Sequence, residues 1–161
     1  MPIPQPLRFS THHFALFCYA VSDVRVTYAG RAHELWDEGG PAPAKTAADA
    51  TRYPNAQFGV YEAFEGPVQA RWRAQDGSAL SWDVDLEQVF PDRTVLHGAD
   101  PQRIYAPIPL TGGRPVLIVE LNDRTLNIYM DVTVQTVPAS AAATKRDETE
   151  YRTLAYSHTL G

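Results

Sequence analysis

The chain has 161 residues, 44% apolar and 20% charged, with 14 Lys and Arg against 19 Asp and Glu and hence a formal net charge of −5. Length and composition are those of one globular domain, 1–161, whose core is large enough to stand without a disulfide or a metal. The negative balance argues against nucleic acid as a direct ligand, because phosphate contacts want a basic surface.

In chain order, residues Met1 to Pro6 alternate with proline and read as an extended arm laid on a sheet edge. "FALFCYAV", Phe14 to Val21, has the apolar length of a short export signal, but the segment before it is proline-rich and no small-x-small cleavage pattern follows. Phe17 stands where a lipoprotein signal needs a small residue before Cys18. Cys18 is also the only cysteine, which excludes an intrachain disulfide and a cysteine-built zinc site. We read a buried strand. No run approaches the ~20 apolar residues of a membrane span, so the expectation is a cytoplasmic protein without membrane contact. The strand pattern continues to Tyr28, with Val24, Val26 and Tyr28 on one side and Arg25 and Thr27 on the other. Asp23 marks a bulge or corner dividing it in two. Trp36 to Ala56 is a long Ala-, Pro- and Gly-rich surface loop with one helical turn around Lys45 to Ala50.

From Val68 to Leu86 the chain predicts a hairpin. Val68, Ala70 and Trp72 alternate with Gln69, Arg71 and Arg73, and Leu80, Trp82, Val84 and Leu86 alternate with Ser81, Asp83 and Asp85. A two-residue Asp76-Gly77 turn would oppose a core face to a wet face. A three-residue loop, Gln75-Asp76-Gly77 with Gly77 left-handed, removes that conflict. Trp72 then faces Leu80, Ala70 faces Trp82, and Arg71 lies diagonal to Asp83. Leu86 to Phe90 and Asp100 to Ile104 each read as a single helical turn. "RPVLIVELN" is apolar enough for a strand covered on both faces, and "LNIYMDVTV" alternates with Leu126, Ile128, Met130, Val132 and Val134 inward. Pairing Leu121 with Leu126, Val119 with Ile128 and Leu117 with Met130 makes these the centre of the sheet. In the tail, Ser140 can cap a helix through the alanines and "KRDETE", followed by a last strand with Tyr151, Thr153, Ala155 and Ser157 on one side. The fold class is therefore mainly β, with α+β the alternative: a twisted antiparallel sheet or two-layer sandwich of about six to eight strands with one or two short helices.

Candidate chemistry is sparse. No serine sits in a G-x-S-x-G elbow, and Ser78 and Ser81 belong to the hairpin. His12 and His13 are adjacent on a strand and point to opposite faces, so they cannot serve one ion, and no H-x-H or H-E-x-x-H occurs. His97 reads as a strand-end histidine bonded to a backbone carbonyl. "TGGR" is a turn rather than a phosphate cradle. Glu120, inside an apolar strand, needs a partner, and the register offers Asn127. No metal or cofactor is called for. What remains is an acidic run without a base, Asp83, Asp85, Glu87 and Asp92, which can form a negative patch beside exposed aromatics. Such a patch suits a basic protein partner, and it equally suits a solvated edge that blocks aggregation.

"EGPVQARWRAQDGSALSWDVDLEQVFPDRTVLH", "RPVLIVELNDRTLNIYMDVTV" and the closing "YRTLAYSHTL" together resemble a group of small bacterial proteins associated with type VI secretion and polymorphic-toxin immunity loci. The features that carry the resemblance are a W-x-x-x-D-G-S hairpin, a D-L-x-x-V-F-x-D segment and a strand-N-D-R-T-strand hairpin. They cover about half the chain and include no catalytic residue. The resemblance implies a non-enzymatic protein that binds a cognate toxin or effector, with a basic one the expectation, and neutralises it; without an export signal, that toxin would act in the cytoplasm. Partner-contact candidates are then Asp83, Asp85, Glu87, Asp92, Arg71 and Arg73. Two alternatives stay open: a secretion accessory that carries an effector without inhibiting it, and a small hydrolase using a pocket near His97 and Glu120. Self-association as a homodimer is open as well.

Overall fold

The computed structural model describes residues 6–35, 41–51, 57–138 and 145–161. The first residues of the N-terminal arm, most of the ends of the Trp36–Ala56 loop and the Ser140 cap lie outside them. The described chain forms β1 (Thr11–Tyr19), β2 (Ser22–Tyr28), β3 (Arg31–Leu35), β4 (Gln57–Glu62), β5 (Val68–Arg73), β6 (Ala79–Val84), the single turn α1 (Leu86–Val89), β7 (Val116–Asn122), β8 (Thr125–Thr136) and β9 (Asp147–Thr159). Short 3₁₀ turns occupy Ala47–Thr51 and Pro101–Arg103.

The strands make two open sheets, β4-β1-β7-β8-β9 and β3-β2-β5-β6. Their facing sides share one apolar core, in which Phe14, Leu117, Leu126, Ile128 and Met130 of the larger sheet meet Val26, Tyr28, Ala70 and Trp72 of the smaller. The architecture is a two-layer sandwich. Its edges correspond: Tyr61 on β4 reaches His33 on β3 at one side, and at the other the Trp82 indole on β6 stacks 3.8 Å from the His158 ring on β9 and donates to the Tyr156 hydroxyl at 2.7 Å. The fold is mainly antiparallel, but β1 runs parallel to β7. That pair follows from connectivity, because the chain crosses to the smaller sheet and back before β7 is laid down, and a long crossover permits parallel strands.

The division within Phe14–Tyr28 has two causes. The corner falls at Ala20, in left-handed backbone (φ 53°), and is tied by Ala42 N–H to the Val21 carbonyl. Asp23 (φ 50°) is a bulge inside β2 rather than the corner. Both predicted hairpin registers are found: Trp72 opposite Leu80, Ala70 opposite Trp82, Leu121 opposite Leu126 and Leu117 opposite Met130, with Gly77 at φ 88°. Single helical turns occur near the expected places, and Asp85 and Asp100 cap them through Glu87 N–H and Gln102 N–H.

The tail departs from expectation in two ways. Asp147 to Glu150, good helical material in isolation, is strand, because β8 runs to Thr136 and pairs with it from Thr133 onward; sheet pairing overrides helix propensity. The register also slips beside Ile128 and Tyr129, where Ala155 is the extra residue. That bulge shifts the phase by one residue. Tyr151 and Thr153 lie opposite inward residues of β8, but beyond the bulge Tyr156 and His158 take that place, not Ala155 and Ser157.

The two hairpin tips are clipped together. The Trp72 indole donates to the Asp123 carbonyl at 2.7 Å, and the Asp123 carboxylate accepts from Gln75 N–H at 2.9 Å. Arg124 reaches Asp76 at 3.2 Å and donates to the Leu160 carbonyl at 2.8 Å. The D-G-S and N-D-R-T motifs therefore fasten sheet to sheet and hold the C-terminal strand.

Candidate functional site

The predicted contact residues on β5 and β6 lie on the outer face of the smaller sheet, which is polar and uncovered among the described residues. Alternation puts Val68, Ala70 and Trp72 into the core and leaves Gln69, Arg71 and Arg73 exposed. Strand pairing then sets Glu34, Arg25, Arg71 and Ser81 in one row across the sheet, with Thr27, Gln69 and Asp83 in the next. Arg25 meets Glu34 at 3.5 Å and Arg73 meets Asp23 at 3.1 Å. Arg71 does not bond the diagonal Asp83, and it makes no hydrogen bond or ion pair among the described residues. Beside it opens a cleft of about 410 Å³ lined by Arg71, Arg73, Asp23 and Ser81.

The acidic run is placed at the end of this face and around the following turn. Asp83 is exposed on β6, opposite Gln69. Asp85 is engaged as the cap of α1. Glu87 pairs with Arg93 at 2.8 Å, and the Arg93 guanidinium lies 5.7 Å from the centre of the Phe64 ring. The run is therefore less negative in space than along the chain, since the base just past its end folds back onto it. Asp92 is exposed.

The outer face of the larger sheet is different. Ala15, Phe17, Tyr19, Val116 and Ile118 form a second apolar cluster there, with Tyr129 packed against it. Segment 41–51 comes down onto this face. Lys45 Nζ donates to Glu120 at 2.7 Å and lies within 6 Å of the Tyr19 and Tyr129 rings. Glu120, 2% exposed, also accepts from Asn127 at 3.0 Å, the partner the register predicts. Arg152 on β9 donates to Asp131 at 2.9 Å and to the Ala50 carbonyl at 3.3 Å. Between the two ion pairs is a cavity of about 110 Å³. Burial pushes the Asp131 carboxyl up to about 6, with the Arg152 hydrogen bond opposing and the Glu150 charge adding to the rise. Burial alone would lower the Lys45 ammonium, yet the hydrogen bond and charge of Glu120 leave it raised. Sequence reasoning missed Lys45, Asp131 and Arg152. The usable signal was Glu120, a carboxylate in an apolar strand that requires a cation from somewhere.

The histidines are dispersed. His12 is fully buried: Nδ1 faces the His13 carbonyl at 2.9 Å, so Nε2 accepts from the Tyr28 hydroxyl at 2.9 Å. Burial holds its pKa down at about 4. His13 points the other way and meets the Gly59 carbonyl at 3.2 Å. His97 Nδ1 accepts from Ala99 N–H at 3.1 Å rather than donating to a carbonyl, and burial lowers it too. Neither His97 nor His158 lines the Glu120 cavity. Among the described residues no three His, Cys, Asp or Glu side chains are placed to hold a metal ion, and no helix is long and apolar enough to cross a membrane. No family model matches the chain, and no curated protein or solved structure matches it significantly.

Proposed function

We propose that the chain is a non-enzymatic protein-binding module of the immunity type, which neutralises a cognate toxin by direct contact. The observation that carries the reading is the outer face of the smaller sheet: polar, uncovered among the described residues, patterned in charge, and tied to the larger sheet by the clip between the hairpin tips. A surface with alternating charge gives specificity and fast encounter. The W-x-x-x-D-G-S and N-D-R-T motifs that carry the resemblance are the residues of that clip, so the resemblance bears on how the face is held rather than on any reaction. The toxin is expected to be basic where it meets Asp83 and Asp92.

The test is coexpression with the product of the adjacent gene, scored by rescue of growth and by copurification. Asp83→Lys with Asp92→Lys reverses the patch while sparing the Asp85 cap, and is expected to weaken binding at least tenfold, about 1.4 kcal/mol. Undiminished rescue and affinity would place the contact elsewhere. Effector capture without rescue would favour the accessory reading instead.

A further inference from the structure

Within the uncovered face, three arginines share one patch of the sheet. Arg25 and Arg71 are direct register partners on neighbouring antiparallel strands, and Arg73 lies two residues further along β5 on the same side. Like charges opposite each other across a strand pair are destabilising. The sheet offers simple relief: Arg25 has Glu34, and Arg73 has Asp23. Arg71 has no such partner among the described residues, although Asp83 is on the neighbouring strand one row away. Arg71 is thus an exposed cation, flanked by two others, at the lip of an open cleft of about 410 Å³. Three acids share the face with it: Glu34 and Asp23, each paired to one of the flanking arginines, and Asp83 one row away. The pattern is a positive centre in a negative frame.

We propose that this centre receives a carboxylate, an Asp or Glu side chain of a partner protein that is itself flanked by basic residues. A guanidinium binds a carboxylate through paired, charge-assisted hydrogen bonds, and a second guanidinium alongside strengthens the site. The frame selects the surroundings of that carboxylate, since neutral or basic neighbours meet Glu34, Asp23 and Asp83 while an acidic stretch would be repelled. Nucleic acid fits less well. Its phosphates would face the same frame and a net charge of −5. Among the described residues of this hairpin, the aromatics that could stack on bases are also turned away, Trp72 being buried in the core and Trp82 stacked on His158. The inference rests on the protein-binding reading and narrows it to one contact.

Peptides test it without the natural partner. The probes are Lys-Thr-Lys-Glu-Lys-Thr-Lys, the same peptide with Gln for Glu, and an oligothymidylate, each titrated while the arginine Nε–H resonances are followed. The Glu peptide is expected to bind about five- to tenfold tighter than the Gln peptide, with the largest shifts at Arg71 and Arg25. In Arg71→Gln that preference collapses to about unity. The same substitution removes the like-charge pair and is expected to raise Tm by about 1–3 °C, which also shows that the variant folds. Equal affinity for the two peptides, a preference that survives in Arg71→Gln, tighter binding of the oligothymidylate, or a fall in Tm would each overturn the proposal. Those failures would leave the neutralisation reading standing; failed growth rescue would remove that reading whatever the peptides do.

Discussion

The two sheets treat their outer faces in opposite ways. On the larger sheet, segment 41–51 covers a second apolar cluster, and the charges there, Lys45–Glu120 and Arg152–Asp131, are nearly buried and short-bonded. On the smaller sheet the charges stand in water, their pairs are longer, and Arg71 is left over among the described residues. Burial makes the difference. A charge taken out of water must be paired or it destabilises by several kcal/mol, whereas an exposed one can remain unmatched at little cost. Unmatched charge is therefore informative only on the open face, where nothing in folding requires it to be there.

Breaking a pair on the covered face should have the largest effect. Arg152→Met leaves Asp131, 3% exposed, without its guanidinium and is expected to lose about 3 kcal/mol at pH 7 in urea unfolding. Without the guanidinium the carboxyl's pKa rises further, so by pH 5 it is protonated and the loss should shrink by more than half. A loss that is the same at both pH values would mean that Arg152 contributes packing over Phe17 and not charge. The arrangement predicts the contrary for a paired replacement: Lys45→Met with Glu120→Leu removes both charges together and should be close to neutral.

The smaller sheet's main hairpin and the β7–β8 hairpin were legible because a period of two, read against a known turn, admits only one register that keeps the core face together. Trp72, Leu80, Leu117 and Met130 illustrate this. The covered face was not legible for the same reason in reverse. Lys45 is separated from Glu120 by 75 residues, and no local period reports a contact made by a loop folding back over a sheet. The bulge at Ala155 was equally hidden, since a phase slip in β9 is dictated by β8 and not by β9's own alternation. The contact candidates were half legible. Sequence placed Arg71, Arg73 and Asp83 on the wet face, but it could not show Arg25 arriving opposite Arg71 from a strand 46 residues earlier, or Arg93 folding back to Glu87.

A smaller effect is expected in the core between the faces, and it depends on pH. His12 titrates at about 4 when folded, against 6.5 in the unfolded chain. Between those values the unfolded state binds the extra proton, so stability from His12 falls as pH drops through that window. Asp131 behaves oppositely: its folded pKa of about 6 lies above the unfolded 3.8, the native state binds the extra proton, and stability rises as pH drops through 6 toward 4. The two slopes oppose each other over the same interval. His12→Gln should therefore recover about 2 kcal/mol relative to the native chain between pH 7 and pH 4.5, and Asp131→Asn should move in the other direction. Parallel pH profiles for the three proteins would contradict the burial assigned to both groups.

The sharpest use of the contrast is also the smallest effect. Glu34→Gln and Glu120→Gln make the same chemical change to a glutamate that faces a cation, one across the open sheet at 3.5 Å and one beneath the covering segment at 2.7 Å. In Glu34→Gln, Arg25 keeps its hydration and loses only a screened attraction, so the change in unfolding free energy should be about 0–0.5 kcal/mol and should vanish in high salt. Glu120→Gln should cost several times more and depend less on salt, because the Glu120 side chain is 3% exposed and Lys45 lies within 6 Å of two aromatic rings. If Glu34→Gln proved as costly as Glu120→Gln, the open face would be as tightly constrained by folding as the covered one. The unmatched arginine there would then have lost its significance, because a charge that the fold itself requires says nothing about a partner.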